Sequence, residues 1–386
     1  MLTKIIKQSV WFLLMLILAS CVKNDKVPKS IVVFGDSLSD QGNIFSIVNH
    51  VTDLKNIHMS TPPSSHDGHA FSNKLLAVEY LAQHYGLKLS PAWRYKKSSA
   101  DINTIEGSYS NIFASSALNN DFQKEKKTSQ DYKDVSFLIK TILDNIHSPT
   151  LAGNNYAVSN ATIASDYSGL VDRLFNHLSL PYQIKKYTTD NKKDIKDTLF
   201  VIMIGGNDII NIVRSSAKNK KQKISNLMPI MVDSIQRLQE FGAKKILVIG
   251  TPNVGETPVF HNTPLEKITA ELSEQFNQEL GQKITEYFSK KQVEWLPISK
   301  QFSETLQKWP ANTRHEACVS DIVNHTFNLR KFLEHEELEV KFNNGCTQLL
   351  LNEGKYAFYD LIHGSDAIYQ NLSKLLIRKA SDFFSQ

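Results

Sequence analysis

The apolar run Val32-Val33-Phe34 leads directly into Gly35-Asp36-Ser37-Leu38-Ser39-Asp40. Such a run, stopped by glycine and followed by a hydroxyl residue, reads as a buried strand that ends in a tight turn with Ser37 at its tip. A serine hydroxyl attacks a carbonyl only when a base takes its proton, and the base needs a carboxylate to orient it. Of twelve histidines, His363 alone stands in an Asp-x-x-His unit just before a C-terminal helical pattern, with Asp360 three positions ahead. Attack on a carbonyl also needs donors for the oxyanion that forms. Ile204-Gly205-Gly206-Asn207-Asp208 offers a glycine turn that can approach a ligand closely and an amide donor in Asn207. Each part alone has a plain structural alternative: a serine closing a turn, or an Asp or Asn at a helix start. Gly35-Asp36-Ser37-Leu38-Ser39 also misses the hydrolase elbow GxSxG, because Ser39 replaces the last glycine.

Parallel-sheet strands, buried on both faces, read as continuous apolar runs. Ser30 to Phe34, Asn155 to Val158, Leu199 to Ile204, Lys245 to Ile249 and Val293 to Ile298 fit that description. Helical periodicity covers Asn73 to Tyr85, Leu227 to Phe241, Ile268 to Phe288 and Ala367 to Phe384, with Gly86 and Gly242 at helix-ending positions. Strands alternating with helices predict an α/β fold with a parallel sheet, whose functional loops gather at the C-terminal ends of the strands. The stretches 45–70 and 88–154 break the alternation and are read as insertions near the mouth of the site, within one domain spanning 30–386.

Lys4 and Lys7 precede the ten-residue apolar run Val10 to Ala19, too short to span a bilayer comfortably and suited to a signal peptide over 1–21. Leu18-Ala19-Ser20-Cys21 resembles a bacterial lipobox, in which Cys21 is lipidated and becomes the mature N-terminus; residues 22–29 would then be a tether. An ordinary signal peptide with an incidental cysteine is the alternative. This predicts an exported envelope lipoprotein held at a membrane surface. Removal of Lys4 and Lys7 leaves 42 basic against 39 acidic residues, a net of +3, too weak a balance for nucleic acid to be the default partner. The Lys218–Lys223 run reads as a solvated loop before a helix. In an exported chain the two remaining cysteines, Cys318 and Cys346, most simply pair, closing a loop worth about 3–4 kcal/mol in the chain-entropy model; two buried free thiols are the alternative. No CxxC or HxxxH spacing accompanies them to suggest a metal.

Taken together, the blocks resemble the GDSL (SGNH) lipases and esterases, in the family's order and across nearly the whole mature chain. Gly35 to Asp40 with Gly42-Asn43 is similar to the first block, Phe71-Ser72-Asn73 to the family's Phe-Ser-Asn, Gly205-Gly206-Asn207-Asp208 to the third block, and Asp360 with His363 to the fifth. The resemblance implies a flavodoxin-like three-layer α/β sandwich. It makes Ser37 the nucleophile and an N–H donor, Asn207 a side-chain donor, and His363 a base oriented by Asp360. In Asn155 to Ala161, similar to the second block, Asn160 stands where relatives have an oxyanion-donating glycine; a backbone N–H does not require glycine, and asparagine tolerates left-handed backbone. Gly364-Ser365 follows His363 where relatives often have proline. Leu180-Pro181-Tyr182-Gln183, the long first insertion and Cys318…Cys346 look like the bacterial phospholipase A and glycerophospholipid:cholesterol acyltransferase branch. That branch implies lipid or phospholipid substrates, with cholesterol as an acyl acceptor if a sterol resolves the acyl-enzyme, and no metal or organic cofactor. An esterase of acetylated carbohydrate is the rival enzyme reading, and a catalytically silent surface lipoprotein the rival class.

Overall fold

A computed structural model describes residues 27–44, 46–47, 59–60, 70–93, 152–164, 177–190, 195–319, 338–339, 343 and 345–385. The expected signal peptide with Cys21, most of the tether and most of both expected insertions lie outside the described residues.

Four strands, β1 (Ser30–Gly35), β2 (Thr198–Met203), β3 (Lys245–Ile249) and β4 (Val293–Leu296), form one parallel sheet in that spatial order. The register sets Gly35 against Met203 at the C-terminal edge. Alternation along the strands sorts side chains to two faces. Val32, Phe34, Phe200, Ile202, Ile246 and Val248 enter one apolar cluster. Ile31, Val33, Leu199, Val201, Leu247 and Ile249 enter the other.

Helices cover both faces, giving three layers. The first cluster is closed by α2 (Leu180–Asp190), α3 (Gly206–Arg214), α5 (Leu227–Phe241) and α6 (Glu266–Tyr287). The second is closed by α1 (Ala77–His84) and α9 (Asp366–Phe384). The remaining helices are short: α4 (Lys220–Ser225), α7 (Ser299–Leu306) and α8 (Gln348–Asn352). A separate two-residue parallel pair joins Met59–Ser60 to Leu338–Glu339.

Several elements differ from the sequence expectation, each for a local reason. Asn155 to Val158 is not a full strand: Tyr156 N donates to Val33 O at 2.7 Å and Val158 N to Gly35 O at 3.0 Å, but Gly35 N turns to the Gln183 side chain and the ladder stops at isolated bridges to Asn155. The helix expected from Asn73 starts at Ala77, because Leu76 keeps an extended backbone and its N–H is capped by Glu79 Oε2 at 2.8 Å. Part of the lysine run is the helix α4, not loop, and Lys220 Nζ donates to the carbonyls of Ile212, Val213 and Ser215 at the end of α3. Cys318 and Cys346 form a disulfide with a Cα–Cα distance of 5.4 Å.

Candidate active site

The β1 turn is dictated by close approach. A Cβ on Gly35 would run into the Met203 carbonyl of β2, so only glycine fits. The turn beyond it closes on itself, with Ser39 N donating to Asp36 O at 3.0 Å and Leu38 N to Asp36 Oδ1 at 3.1 Å. Ser37 is therefore lifted off the end of the sheet. Its Oγ lies 2.7 Å from His363 Nε2, and His363 Nδ1 lies 2.8 Å from Asp360 Oδ2 and 2.9 Å from Oδ1. A proton on Nδ1, held by the carboxylate, leaves the Nε2 lone pair facing the serine hydroxyl. Asp360 is held in turn by the N–H groups of Ile362 and His363, at 2.8 and 2.7 Å. His363 and Asp360 are buried, and the Phe71 ring packs on the imidazole with centroids 4.6 Å apart.

The loop that carries this pair is closed on itself and held by two other pieces of chain. Tyr359 N donates to His363 O at 2.8 Å, closing the loop at its neck. Cys318 and Val319 donate to the carbonyls of Phe358 and Tyr359, so the disulfide-bearing strip runs beside it. Asn73 Oδ1 accepts from Asp366 N at 2.8 Å, pinning the start of α9 to the segment that carries Phe71.

The donor candidates gather at the same sheet edge. Asn160 has φ 65, a left-handed backbone conformation. Gly205, whose Cβ would strike the Phe276 ring, caps α3 and sets Asn207 in its first turn. Asn207 Nδ2 donates to Ala161 O at 2.9 Å, which orients the amide beside Asn160 and leaves its second N–H for a ligand. Asp40 ties this side to the Ser37 turn: its carboxylate accepts from the N–H groups of Gly42, Asn43 and Ile44, and from both N and Oγ of Ser159. Asp208 accepts from Ile163 N at 2.9 Å and Ala164 N at 3.2 Å. Burial pushes the Asp208 carboxyl up to about 7, against those two N–H bonds and with the nearby Asp36 adding to the rise. Burial likewise raises Asp36 to about 6, opposed chiefly by the Leu38 N–H.

The matched family model is that of the GDSL-like lipase/acylhydrolases, over residues 31–376. The chain belongs to the GDSL-like lipase/acylhydrolase family. That membership places this GDSL protein among the carboxylic ester hydrolases. It is 24% identical to the anther-specific proline-rich protein APG of Brassica napus, over 94% of this chain and 74% of the relative. Identity to the protein of the same name from Arabidopsis thaliana is 23%, over 92% of this chain and 62% of the relative. A GDSL esterase/lipase of Arabidopsis thaliana is 28% identical over 33% of this chain and 32% of its own length.

A small cavity, partly open to solvent, adjoins the site. Leu38, next to Ser37, and Ile362, next to His363, line it on the side of the site, with Ile298, Phe302, Ile368 and Leu372 among its other apolar walls. Among the described residues no group of three or more His, Cys, Asp or Glu side chains is placed to hold a metal ion, and no helix is long and apolar enough to cross a membrane. Sequence reasoning named Phe71, Asp40 and Asp208 only as parts of motifs. An Asp two positions before Gly42 and three before Asn43 is itself a capping signature that would have exposed the role of Asp40; nothing local marks Phe71 as a partner of His363.

Proposed function

We propose that this GDSL protein hydrolyses lipid carboxylic esters, with phospholipid and lysophospholipid substrates first, through an acyl-enzyme on Ser37. The observation that carries the reading is the hydrogen-bonded chain Ser37–His363–Asp360 at 2.7 and 2.8 Å. In this reading His363 Nε2 takes the Ser37 proton as Oγ attacks the ester carbonyl. The N–H of Ser37, the N–H of Asn160 and Nδ2 of Asn207 receive the oxyanion. The imidazolium, held by Asp360, returns its proton to the leaving alcohol. Water, activated by the same histidine, then releases the fatty acid. Where a sterol takes the place of water, the product is a steryl ester.

The lipid reading draws on the apolar cavity beside the turn, whose aliphatic walls suit an acyl chain better than a sugar. The phospholipase and acyltransferase branch is a proposal from the Leu180 to Gln183 segment, the first insertion and the cysteine pair, and export with a lipid anchor on Cys21 is a proposal from the N-terminal pattern. Two acyl chains would hold such an anchor firmly, where one is marginal.

Labelling with a fluorophosphonate probe tests the core. The wild type should label and Ser37→Ala should not; equal labelling of the two sinks the proposal. Product analysis on mixed phospholipids with and without cholesterol then separates free fatty acid from cholesteryl ester.

A further inference from the structure

Gln183 lies on α2, remote in sequence from every motif of the site, and is fully buried. Its carboxamide is spent on the residue that begins the nucleophile turn. Gly35 N donates to Gln183 Oε1 at 2.9 Å, and Gln183 Nε2 donates to Gly35 O at 2.8 Å and to Leu178 O at 2.9 Å. In a regular parallel ladder the N–H of Gly35 would go to the Tyr156 carbonyl, since Val33 N already bonds Asn154 O, and Tyr156 N and Val158 N already bond Val33 O and Gly35 O. The side chain of Gln183 stands in for that missing rung. It lets the strip from Asn155 leave the sheet toward Asn160 without orphaning the last N–H of β1.

We propose that Gln183 is a positioning residue for the reaction, holding the Ser37 turn at its distance from the Asn160 strip. This rests on the ester-hydrolase reading of Ser37 above. Two of the three oxyanion donors of the proposed mechanism hang from the atoms that Gln183 grips: Ser37 is two residues beyond Gly35, and Asn160 is two residues beyond Val158, which bonds the same Gly35 carbonyl. A carboxamide is needed because the site presents one donor and two acceptors, a demand that a carboxylate or an apolar side chain does not meet.

The test compares wild type, Gln183→Met and Gln183→Glu on a p-nitrophenyl ester, with turnover expressed per fluorophosphonate-labelled site so that unfolded protein is not counted. For Gln183→Met, kcat per labelled site should fall about tenfold or more with a smaller change in KM, since a misplacement of about 1 Å costs on the order of a hundredfold. Gln183→Glu supplies the second readout. Protonated, its carboxyl offers one donor and one acceptor to Gly35; ionised, it faces two carbonyl oxygens with no donor. Its activity relative to wild type should therefore decline with rising pH through a single-proton step. Unchanged kcat per labelled site in Gln183→Met, or a pH-independent ratio for Gln183→Glu, overturns the proposal and assigns Gln183 to stability alone. A wild type that neither labels nor turns over ester instead overturns the function on which the proposal rests.

Discussion

Asn160 occupies a left-handed backbone conformation, and in the proposed mechanism it serves the oxyanion through its backbone N–H and not its side chain. Asparagine accepts this conformation and glycine accepts it freely, whereas a β-branched residue is strained there by about 1–3 kcal/mol. Asn160→Gly should accordingly keep ester turnover close to wild type, and Asn160→Val should lose most of it; steady-state kinetics on a soluble ester checks the pair. Loss of turnover in Asn160→Gly as well would assign the donor to the asparagine side chain and not to the backbone. Asn207 is the opposite case, because in the proposed mechanism the donor is its side chain. Asn207→Ala should cost on the order of a hundred- to a thousandfold in kcat, the scale for a lost oxyanion donor, with labelling at Ser37 slowed in parallel.

At the scale of elements, the base loop has no helix or strand of its own. It is a neck closed by Tyr359 and His363, flanked by the 317–319 strip and followed by α9. The disulfide fastens the strip, because Cys318 belongs to it and Cys346 leads into α8. A serine replacing both cysteines should lower stability by about 2–4 kcal/mol, measured by urea denaturation. Because the strip's hydrogen bonds end one residue before Asp360, turnover per labelled site should fall as well. A stability loss with full turnover would limit the disulfide to the fold. The strand pattern of β1 to β4 and the long helices α5, α6 and α9 are legible from apolar runs and from 3.6-residue periodicity, because both faces of the sheet are buried. Helices α2, α3 and α4 are not: α2 and α4 carry few apolar residues, and α3 starts inside what reads as a glycine turn.

For the molecule as a whole, two buried carboxyls set a pH term in stability. Asp36 and Asp208 titrate near 6 and 7 when folded, above the ordinary 3.8. The folded state therefore binds more protons than the unfolded chain between about pH 4 and 7, and these groups lower stability as pH rises through that window. Asp208→Asn removes one of them but loses an acceptor for the N–H groups of Ile163 and Ala164. Wild type should be the more stable of the two at pH 4, and its lead should shrink by pH 8, as read from chemical denaturation at both values. A lead that grows with pH would mean that Asp208 is held ionised by those N–H bonds.

Residue types and order along the chain already limit the chemistry: a serine after an apolar strand, an Asp-x-x-His unit before the last helix, and a glycine turn with asparagine between them. Such patterns are local, since they follow from strand ends and cap positions. The disulfide was readable too, because few cysteines leave few pairings. No local signal could state that His363 Nε2 comes within 2.7 Å of Ser37 Oγ, that the Phe71 ring lies on the imidazole, or that Gln183 completes β1 with its side chain. Those contacts arise only when the sheet brings β1, β2 and the α9 loop to one edge, because hydrogen bonds between side chains depend on distance in space and not on spacing in sequence.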